Sequence, residues 1–180
     1  MEEENEYNYE DKNNEEIAES YIIKTEKFKN GYYRGEIKEG KREGKGKYIW
    51  SNKSKYEGQF KNDIFDGKGT FIWENGEKYE GEFKKGIKEG KGIYEYPSGS
   101  KYEGNFKNGK REGKGVFYYR SGNRYEGDFA NDKREGKGIM YYVNGDREMG
   151  DYKNDKKIGK HIVMFLNGEF EEKIYDKDKE

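Results

Sequence analysis

The sequence predicts an all-β protein: an elongated, twisted and curved single antiparallel sheet of stacked β-hairpin repeats, each 23 residues long. Glycine recurs at that interval without a gap, at Gly35, Gly58, Gly81, Gly104, Gly127 and Gly150. A short repeated unit cannot bury its own apolar face, so its copies must stack into an array. Within each copy, apolar or small residues alternate with polar ones, which is the period of a half-exposed strand.

The composition favours an open sheet. Charged residues make up 42% of the 180 residues and hydrophobic residues 29%, values that alone would indicate disorder. The 18 Tyr and 10 Phe overrule that reading, because aromatic side chains bury a large area and occur here at fixed spacing. A thin sheet also needs a smaller core than a sphere of the same mass.

One copy, residues 102–124, shows how the elements follow. Residues 102–106 form the first predicted strand, and the eight polar, glycine-rich residues after them predict a loop. Residues 115–119 form a second strand, rich in aromatic and β-branched side chains. Residues 120–124 turn the chain into the next copy, so successive hairpins join into one antiparallel meander.

The pattern also predicts a strand register. In the first hairpin, Tyr33 is paired with Trp50. Gly35 is paired with Tyr48, and the next turn pairs Trp50 with Tyr56. These pairings keep the aromatic residues on one face and place a glycine opposite each large ring, which can then lie flat over the neighbouring backbone. The alternative role for such glycines is in a bulge or a turn.

The two faces of the predicted sheet differ in chemistry. The face opposite the aromatic rows carries solvated glutamates such as Glu57 and Glu80, with a partly apolar stripe that includes Val116 and Ile139. With glycine rows on one face and bulk on the other, we expect the sheet to curl into a trough lined by aromatic residues.

The chain is predicted to have four parts. Residues 1–19 form an acidic tail, expected to be disordered, 20–32 a capping strand or hairpin, 33–170 six repeats, and 171–180 a charged C-terminal cap. The repeats are 33–55, 56–78, 79–101, 102–124, 125–147 and 148–170. The tail holds nine acids and one base, a net charge of −8, and it either docks on the more basic array or stays solvated.

The units YEGQFKNDIFDGKGTFIWENGEK (56–78) and YEGNFKNGKREGKGVFYYRSGNR (102–124) resemble the MORN repeat, the membrane occupation and recognition nexus. The resemblance covers residues 33–170 through an in-frame Y-E-G-x-F…G-K-G-x-[YF] pattern. It implies a curved sheet of stacked hairpins, a scaffold or adaptor role, and a partner peptide or helix bound along an aromatic concave groove. It also implies a location at cilia, cell-division rings, cortical cytoskeleton or membrane junctions.

We therefore predict a partner-binding groove on the aromatic face, supported by the structural glycines of the 23-residue series. In the alternative interpretation, the same rings pack on each other as the core. The predicted groove residues are Trp50, Tyr56, Phe71, Trp73, Tyr79, Tyr94, Tyr96, Tyr102, Phe117, Tyr119, Tyr125 and Tyr142.

The sixth copy departs from the pattern. Glu148 replaces the tyrosine and His161 replaces the third motif glycine. Terminal repeats of such arrays are usually atypical, so we interpret both as cap substitutions; a functional role for this histidine is the alternative.

Catalytic and metal-binding constellations are scarce. The chain has no Cys, and its single histidine is interpreted as a cap substitution, which leaves no histidine for a catalytic triad and excludes the common zinc sites. Gly40 and Gly44 enclose three residues rather than four, and Gly46 stands where a phosphate-binding loop needs Ser or Thr. We expect a protein that is not an enzyme and has neither cofactor nor metal.

Three hypotheses from different classes remain. The first is a scaffold that grips an apolar peptide or helix of another protein. The second is a peripheral membrane tether that binds anionic lipids or phosphoinositides through basic loops such as Lys41-Arg42, but each loop is smaller than the usual basic cluster, which predicts weak or no membrane binding. The third is homodimerisation through an edge or a face.

The remaining expectations concern partners and location. Nucleic acid is not expected, because the net charge is −1 and no known nucleic-acid motif is present. The absence of cysteine suits a reducing compartment and predicts a cytoplasmic protein. With the family resemblance, we expect association with cytoskeleton, cilium or cortex.

Overall fold

The computed structural model describes residues 21–176, which form one 14-stranded antiparallel sheet in which each strand pairs with the next in the chain. This confirms the predicted fold class. The strands are β1 Ile22–Phe28, β2 Gly31–Lys38, β3 Lys41–Trp50, β4 Lys55–Lys61, β5 Ile64–Ile72, β6 Lys78–Lys84, β7 Ile87–Glu95, β8 Lys101–Lys107, β9 Lys110–Tyr118, β10 Arg124–Ala130, β11 Lys133–Tyr141, β12 Arg147–Lys153, β13 Lys156–Met164 and β14 Phe170–Tyr175.

The repeats correspond to consecutive hairpins, from β2–β3 to β12–β13, with β1 and β14 on the two edges of the sheet. β1 pairs along its whole length with β2, and β14 pairs with β13. The predicted acidic tail, residues 1–19, lies outside the described residues, as do the last four residues of the predicted C-terminal cap, 177–180.

The loop predicted within each repeat is wrong, because the strands continue almost to its middle. In the repeat 102–124, β8 runs to Lys107 and β9 starts at Lys110, so only Asn108 and Gly109 lie in the turn. Both have positive φ, 51° and 80°, as a two-residue hairpin of type I′ requires. Asn-Gly is the residue pair that adopts this turn most readily, which outweighs the polar composition around it.

The predicted register is wrong by two residues. Tyr33 pairs with Tyr48 and Gly35 with Gly46, and across the next turn Tyr48 pairs with Tyr56. The physical reason is a bulge after Gly35, which shortens the connecting turn to two residues. Because the shift is even, every side chain stays on the face that the sequence predicts.

The glycines lie opposite each other, and a tyrosine ring covers each pair. Gly81 pairs with Gly92, and a Cβ atom on Gly92 would lie 2.5 Å from Cε2 of Tyr79. The Tyr79 hydroxyl donates a hydrogen bond to the carbonyl of Glu82 at 2.9 Å, which fixes the ring over the pair. The space-making role of these glycines is therefore correct, although the ring lies over two glycines and not opposite one.

The first glycine of each G-K-G motif has a different role. Gly90 has φ of +64° at the bulge in β7, a conformation that few other residues adopt without strain. The first glycine of the motif is thus a bulge glycine, the alternative that the sequence left open. The second glycine makes space for the tyrosine ring.

The core is a single line of aromatic rings that runs from repeat to repeat. Tyr79 is 0% exposed and meets Phe83 of its own strand and Phe106 of the next repeat edge-on, each at a centroid distance of 5.0 Å. The same edge-to-face contacts link Tyr102 to Phe106 and Phe129. Such pairs contribute about 0.5–1.5 kcal/mol each beyond area burial, so this line couples each hairpin to its neighbour.

One side chain of the core line, Tyr152, has a buried hydroxyl that makes no hydrogen bond within residues 21–176. Tyr152 occupies the position held by Phe83, Phe106 and Phe129 in earlier repeats. We expect Tyr152→Phe to raise the free energy of unfolding by about 1 kcal/mol, because a buried unpaired polar group is removed. Chemical denaturation measures the change.

The matched control is Tyr125→Phe. The Tyr125 hydroxyl donates to the Asp128 carbonyl at 3.2 Å, so its removal should lower the free energy of unfolding by about 1 kcal/mol. Equal losses in the two variants would contradict the assignment of Tyr152.

Candidate protein-binding surface

A second row of rings lies beside the core line on the same face, and we call it the aromatic band. Its members are Trp50, Phe71, Trp73, Tyr94, Tyr96, Phe117, Tyr119 and Tyr142, all partly buried. Neighbouring centroids from Trp50 to Tyr119 are between 4.5 and 5.7 Å apart. The band is therefore a continuous apolar stripe that retains partial solvent access.

The other four predicted groove residues lie beneath this surface. Tyr56, Tyr79, Tyr102 and Tyr125 are each 0% exposed, because their rings lie flat on glycine pairs and are covered by phenylalanines. The alternative interpretation, in which the rings pack on each other as the core, therefore holds for these four tyrosines, and the partner-binding role of the other eight residues stays a prediction. These four tyrosines belong to the core, and the predicted groove residues that keep partial solvent exposure are the eight of the band.

The groove predicted on the aromatic face lies instead on the opposite face. A groove of about 1410 Å³ is lined there by charged and small residues, including Glu57, Glu80, Lys68, Lys91 and Ile93. The aromatic rings fill their own face, and the groove lies on the other one. The concave, aromatic-lined trough of the sequence prediction is wrong in this respect, and the band is a surface stripe.

A cation extends over the rings between the core line and the band in most repeats. These cations occupy one position of the 23-residue repeat: Arg42, Lys88, Arg111, Arg134 and Lys157. The Arg111 guanidinium, for example, is 5.4 Å from the centroid of Phe117 and 5.3 Å from that of Phe129. In the second repeat this position is occupied by Phe65, whose ring stacks on that of Tyr56 at a centroid distance of 3.9 Å.

The three arginines among these cations are each held by an aspartate in the turn of the next repeat, and we call the arrangement the Arg–Asp clamp. The backbone N–H and Nε of Arg42 both donate to Oδ1 of Asp63, at 2.9 and 3.0 Å. Burial by itself would raise the pKa of Asp63, but the hydrogen bonds and charge of Arg42 outweigh it and lower the pKa. Arg111 with Asp132 and Arg134 with Asp155 repeat the geometry.

The clamp involves the basic loops of the membrane hypothesis. Arg42, Arg111 and Arg134 are the arginines of the Lys-Arg pairs on which the membrane hypothesis rests, and each forms a salt bridge within the fold. The glutamates that follow them accept hydrogen bonds from turn amides, as Glu112 does from Asn131. Much of the positive charge of these loops is therefore neutralised within the protein.

The sixth hairpin replaces the tyrosine–glycine unit with a buried polar cluster around Glu148, which is 3% exposed. Its carboxylate accepts hydrogen bonds from Lys157 Nζ at 2.5 Å and from the hydroxyls of Tyr142 and Tyr175 at 2.7 and 2.9 Å. Burial alone would raise the pKa of Glu148, but these hydrogen bonds outweigh it and lower the pKa to about 2.

His161 belongs to the same cluster and is 0% exposed. Its imidazole lies over Gly150 in place of the tyrosine ring found in earlier repeats, with Nε2 2.9 Å from the Asp151 carbonyl and Nδ1 3.1 Å from Glu148 Oε1. The two substitutions of the sixth copy are thus complementary: the glutamate vacates the space of the ring, and the histidine fills it.

Two further observations concern other classes of site. Within residues 21–176, no group of three or more His, Asp or Glu side chains is arranged to hold a metal ion. Over the same range, the structure contains no helix of the length and apolarity that a membrane span requires.

The family model of the MORN repeat matches five successive segments of the chain, and the protein belongs to this family. The matched segments are 33–55, 56–78, 79–101, 102–124 and 125–147. The sixth predicted copy, with its Glu148 and His161, lies beyond them.

Among solved structures, the chain is similar to the TCP domain of SAS-4 (dCPAP) from Drosophila melanogaster, solved in complex with a Proline Rich Motif of Ana2 (dSTIL). The TM-score is 0.54 at 14% identity, over 88% of this chain and 86% of that one. The TCP10 domain of Danio rerio CPAP gives a TM-score of 0.40 at 8% identity, over 89% and 82%. A comparison of the sequence with curated proteins gives no match.

Sequence reasoning missed the Arg–Asp clamp, although the sequence contains a signal for it. Arginine at the clamp position is followed 21 residues later by aspartate, as with Arg111 and Asp132, whereas Phe65 and Lys88 are followed by glycine. That correlated choice distinguishes a specific contact from a solvated basic loop.

The Glu148 cluster predicts a pH dependence of stability. The pKa of about 2 in the folded state lies below the ordinary value of 4.5, so the ionised carboxylate stabilises the fold at neutral pH. This contribution is complete above pH 4.5 and is lost as the pH falls towards 2. We expect Glu148→Gln to lower the free energy of unfolding at pH 7 by about 1–3 kcal/mol.

The difference between wild type and Glu148→Gln should shrink as the pH falls through this window, as measured by denaturation at several pH values. A difference that stays constant from pH 7 to acid would contradict the role of the ionised carboxylate.

Proposed function

We propose that the protein is a non-catalytic scaffold that binds a segment of a partner protein along the aromatic band. The observation that carries the proposal is the band itself: a continuous stripe of partly exposed rings on a single-layered sheet. Extended apolar patches on a protein surface commonly mark binding sites. Tyrosine and tryptophan are also the residues that most often anchor a protein interface.

The spacing of the band favours an extended partner. Equivalent residues of successive repeats, such as Trp73 and Tyr96, lie two strands apart, or about 9.6 Å at the usual strand separation. A polyproline II segment rises about 9.3 Å per turn of three residues, so every third residue of a segment running across the strands meets an equivalent ring. Two turns of an α-helix rise about 10.8 Å and therefore lose this match along the array.

The similarity of fold supports the same partner class. The TCP domain of SAS-4 was solved with a proline-rich motif, and the likeness extends over 88% of this chain. Proline-rich segments bind surfaces lined with aromatic residues, because the polyproline II conformation is already formed before binding. We propose an extended, proline-containing segment as the partner.

The cellular setting belongs to the same proposal. The family resemblance favours a cytoskeletal, ciliary or cortical assembly in the cytoplasm. Membrane binding is expected to be weak or absent because the clamp neutralises the arginines of the basic loops. The chain is proposed to act without cofactor or nucleic acid, and dimerisation remains a separate hypothesis that light scattering tests.

A displayed library of random peptides, selected against the whole protein, tests the proposal. We expect the selected peptides to be rich in proline and to bind the double variant Trp73→Ala/Tyr96→Ala at least about tenfold more weakly, a loss of about 1.4 kcal/mol. The control is Glu80→Ala/Glu103→Ala, which alters the opposite face and should bind like wild type.

Calorimetric titration of each selected peptide gives the affinities, and thermal unfolding confirms that both variants are folded. Unchanged affinity for the band variant would contradict the proposal. Selection of amphipathic helical peptides that still depend on Trp73 would overturn the extended conformation of the partner.

A further inference from the structure

One clamp position retains its cation but lacks its carboxylate. The aspartate that holds Arg111 is Asp132, in the turn of the next repeat. The residue equivalent to Asp132 for Lys88 is Gly109, which has no side chain. The third repeat thus has the first half of the clamp without the second.

The Lys88 ammonium lies directly at the aromatic band. Its Nζ is 4.3 Å from the ring centroid of Tyr94 and 5.9 Å from that of Trp73, and the side chain is half-buried. Among the five cations that extend over the rings, it alone forms no salt bridge with a residue of the range 21–176. Lys157, the other lysine, pairs with Glu148.

The backbone around the missing carboxylate is the same as in the complete clamps. The N–H of Gly109 donates to the Lys88 carbonyl at 2.9 Å, as the N–H of Asp132 does to the Arg111 carbonyl at 3.1 Å. In the complete clamps, the aspartate Oδ1 also accepts the backbone N–H of the arginine at 2.9 Å. A carboxylate placed above Gly109 would therefore meet two donors, the backbone N–H and the ammonium of Lys88.

We propose that Lys88 and its backbone N–H form a binding site for an acidic side chain of the partner segment that lies on the aromatic band. The inference rests on the proposed function and adds the chemistry of the partner: an aspartate or glutamate next to the residues that contact Trp73 and Tyr94. Phe65 faces Gly86 in the same arrangement but supplies no cation, so the second repeat has no such site.

Electrostatics supports this assignment. Burial lowers the pKa of Lys88, and the more distant charges of Asp132 and Glu77, neither of which forms a salt bridge with it, offset only part of this effect. A half-buried charge of this kind is costly, and an incoming carboxylate offsets the cost with a charge-assisted hydrogen bond. The surrounding rings hold the Lys88 ammonium at the band through cation–π contacts.

The decisive variant is Gly109→Asp, which supplies the internal carboxylate that the other clamps contain. The turn accepts it, because Gly109 has φ of 80° and Asp132 has φ of 70° at the same position. The matched control is Gly86→Asp, the same substitution one repeat earlier, where Phe65 takes the place of the cation. Lys88→Met removes the charge and keeps the length of the side chain.

The probe is the displayed library of random peptides, followed by titration of each selected peptide and its Asp→Asn or Glu→Gln counterpart. We expect wild type to select peptides with one acidic residue at a fixed distance from the prolines, and neutralisation of that residue to weaken binding about tenfold. Gly109→Asp and Lys88→Met should both abolish the difference between the acidic and neutral peptides, and Gly86→Asp should leave it intact.

The backbone amide of Lys88 gives a direct readout, because its NMR resonance should shift on binding of the acidic peptide and much less with the neutral one. Selected peptides without an acidic preference, or an acidic preference that persists in Gly109→Asp, would overturn the inference. In that case binding that still depends on Trp73 and Tyr96 leaves the proposed function standing, so the two failures are distinguishable.

Discussion

A tyrosine ring laid flat over a pair of glycines is the contact on which the rest of the structure depends. The Tyr79 ring covers Gly81 and Gly92, and its hydroxyl is held by the Glu82 carbonyl. No side chain larger than hydrogen fits beneath the ring, so the two glycines must lie opposite each other and the register of the hairpin is fixed. The rings occupy one face of the sheet, and the groove lies on the other.

The same contact divides the aromatic face into two rows with different roles. In the second to fifth hairpins, the first strand contributes the tyrosine and phenylalanine of the core line, which link one repeat to the next through edge-to-face contacts. The second strand contributes the band, which rests against that line and stays partly exposed. A single layer of sheet can therefore have a dry core and a partly exposed aromatic surface on one side, without a second layer of structure.

The sequence was sufficient for the fold class and for the two faces, because both depend on the 23-residue period and on strand alternation. The strand register was harder to predict from the sequence, because pairings that differ by two residues place the same side chains on the same face. Only features such as the Asn108-Gly109 turn and the bulge at Gly90 distinguish the two registers. The division into core and band could not be predicted either, since Tyr79 and Tyr94 share a face and a residue type. The clamp was visible only as a correlation across repeats.

The central claim is that the glycine pair exists to receive the tyrosine ring, and a double-mutant cycle between Tyr79→Val and Gly92→Ala tests it most directly. Without the ring, the added methyl group has space, so the cost of Gly92→Ala should fall by more than about 1 kcal/mol in the Tyr79→Val background. Chemical denaturation of the four proteins gives this coupling energy. Costs that add within about 0.5 kcal/mol would contradict the account, because the glycine would then matter for a reason independent of the ring.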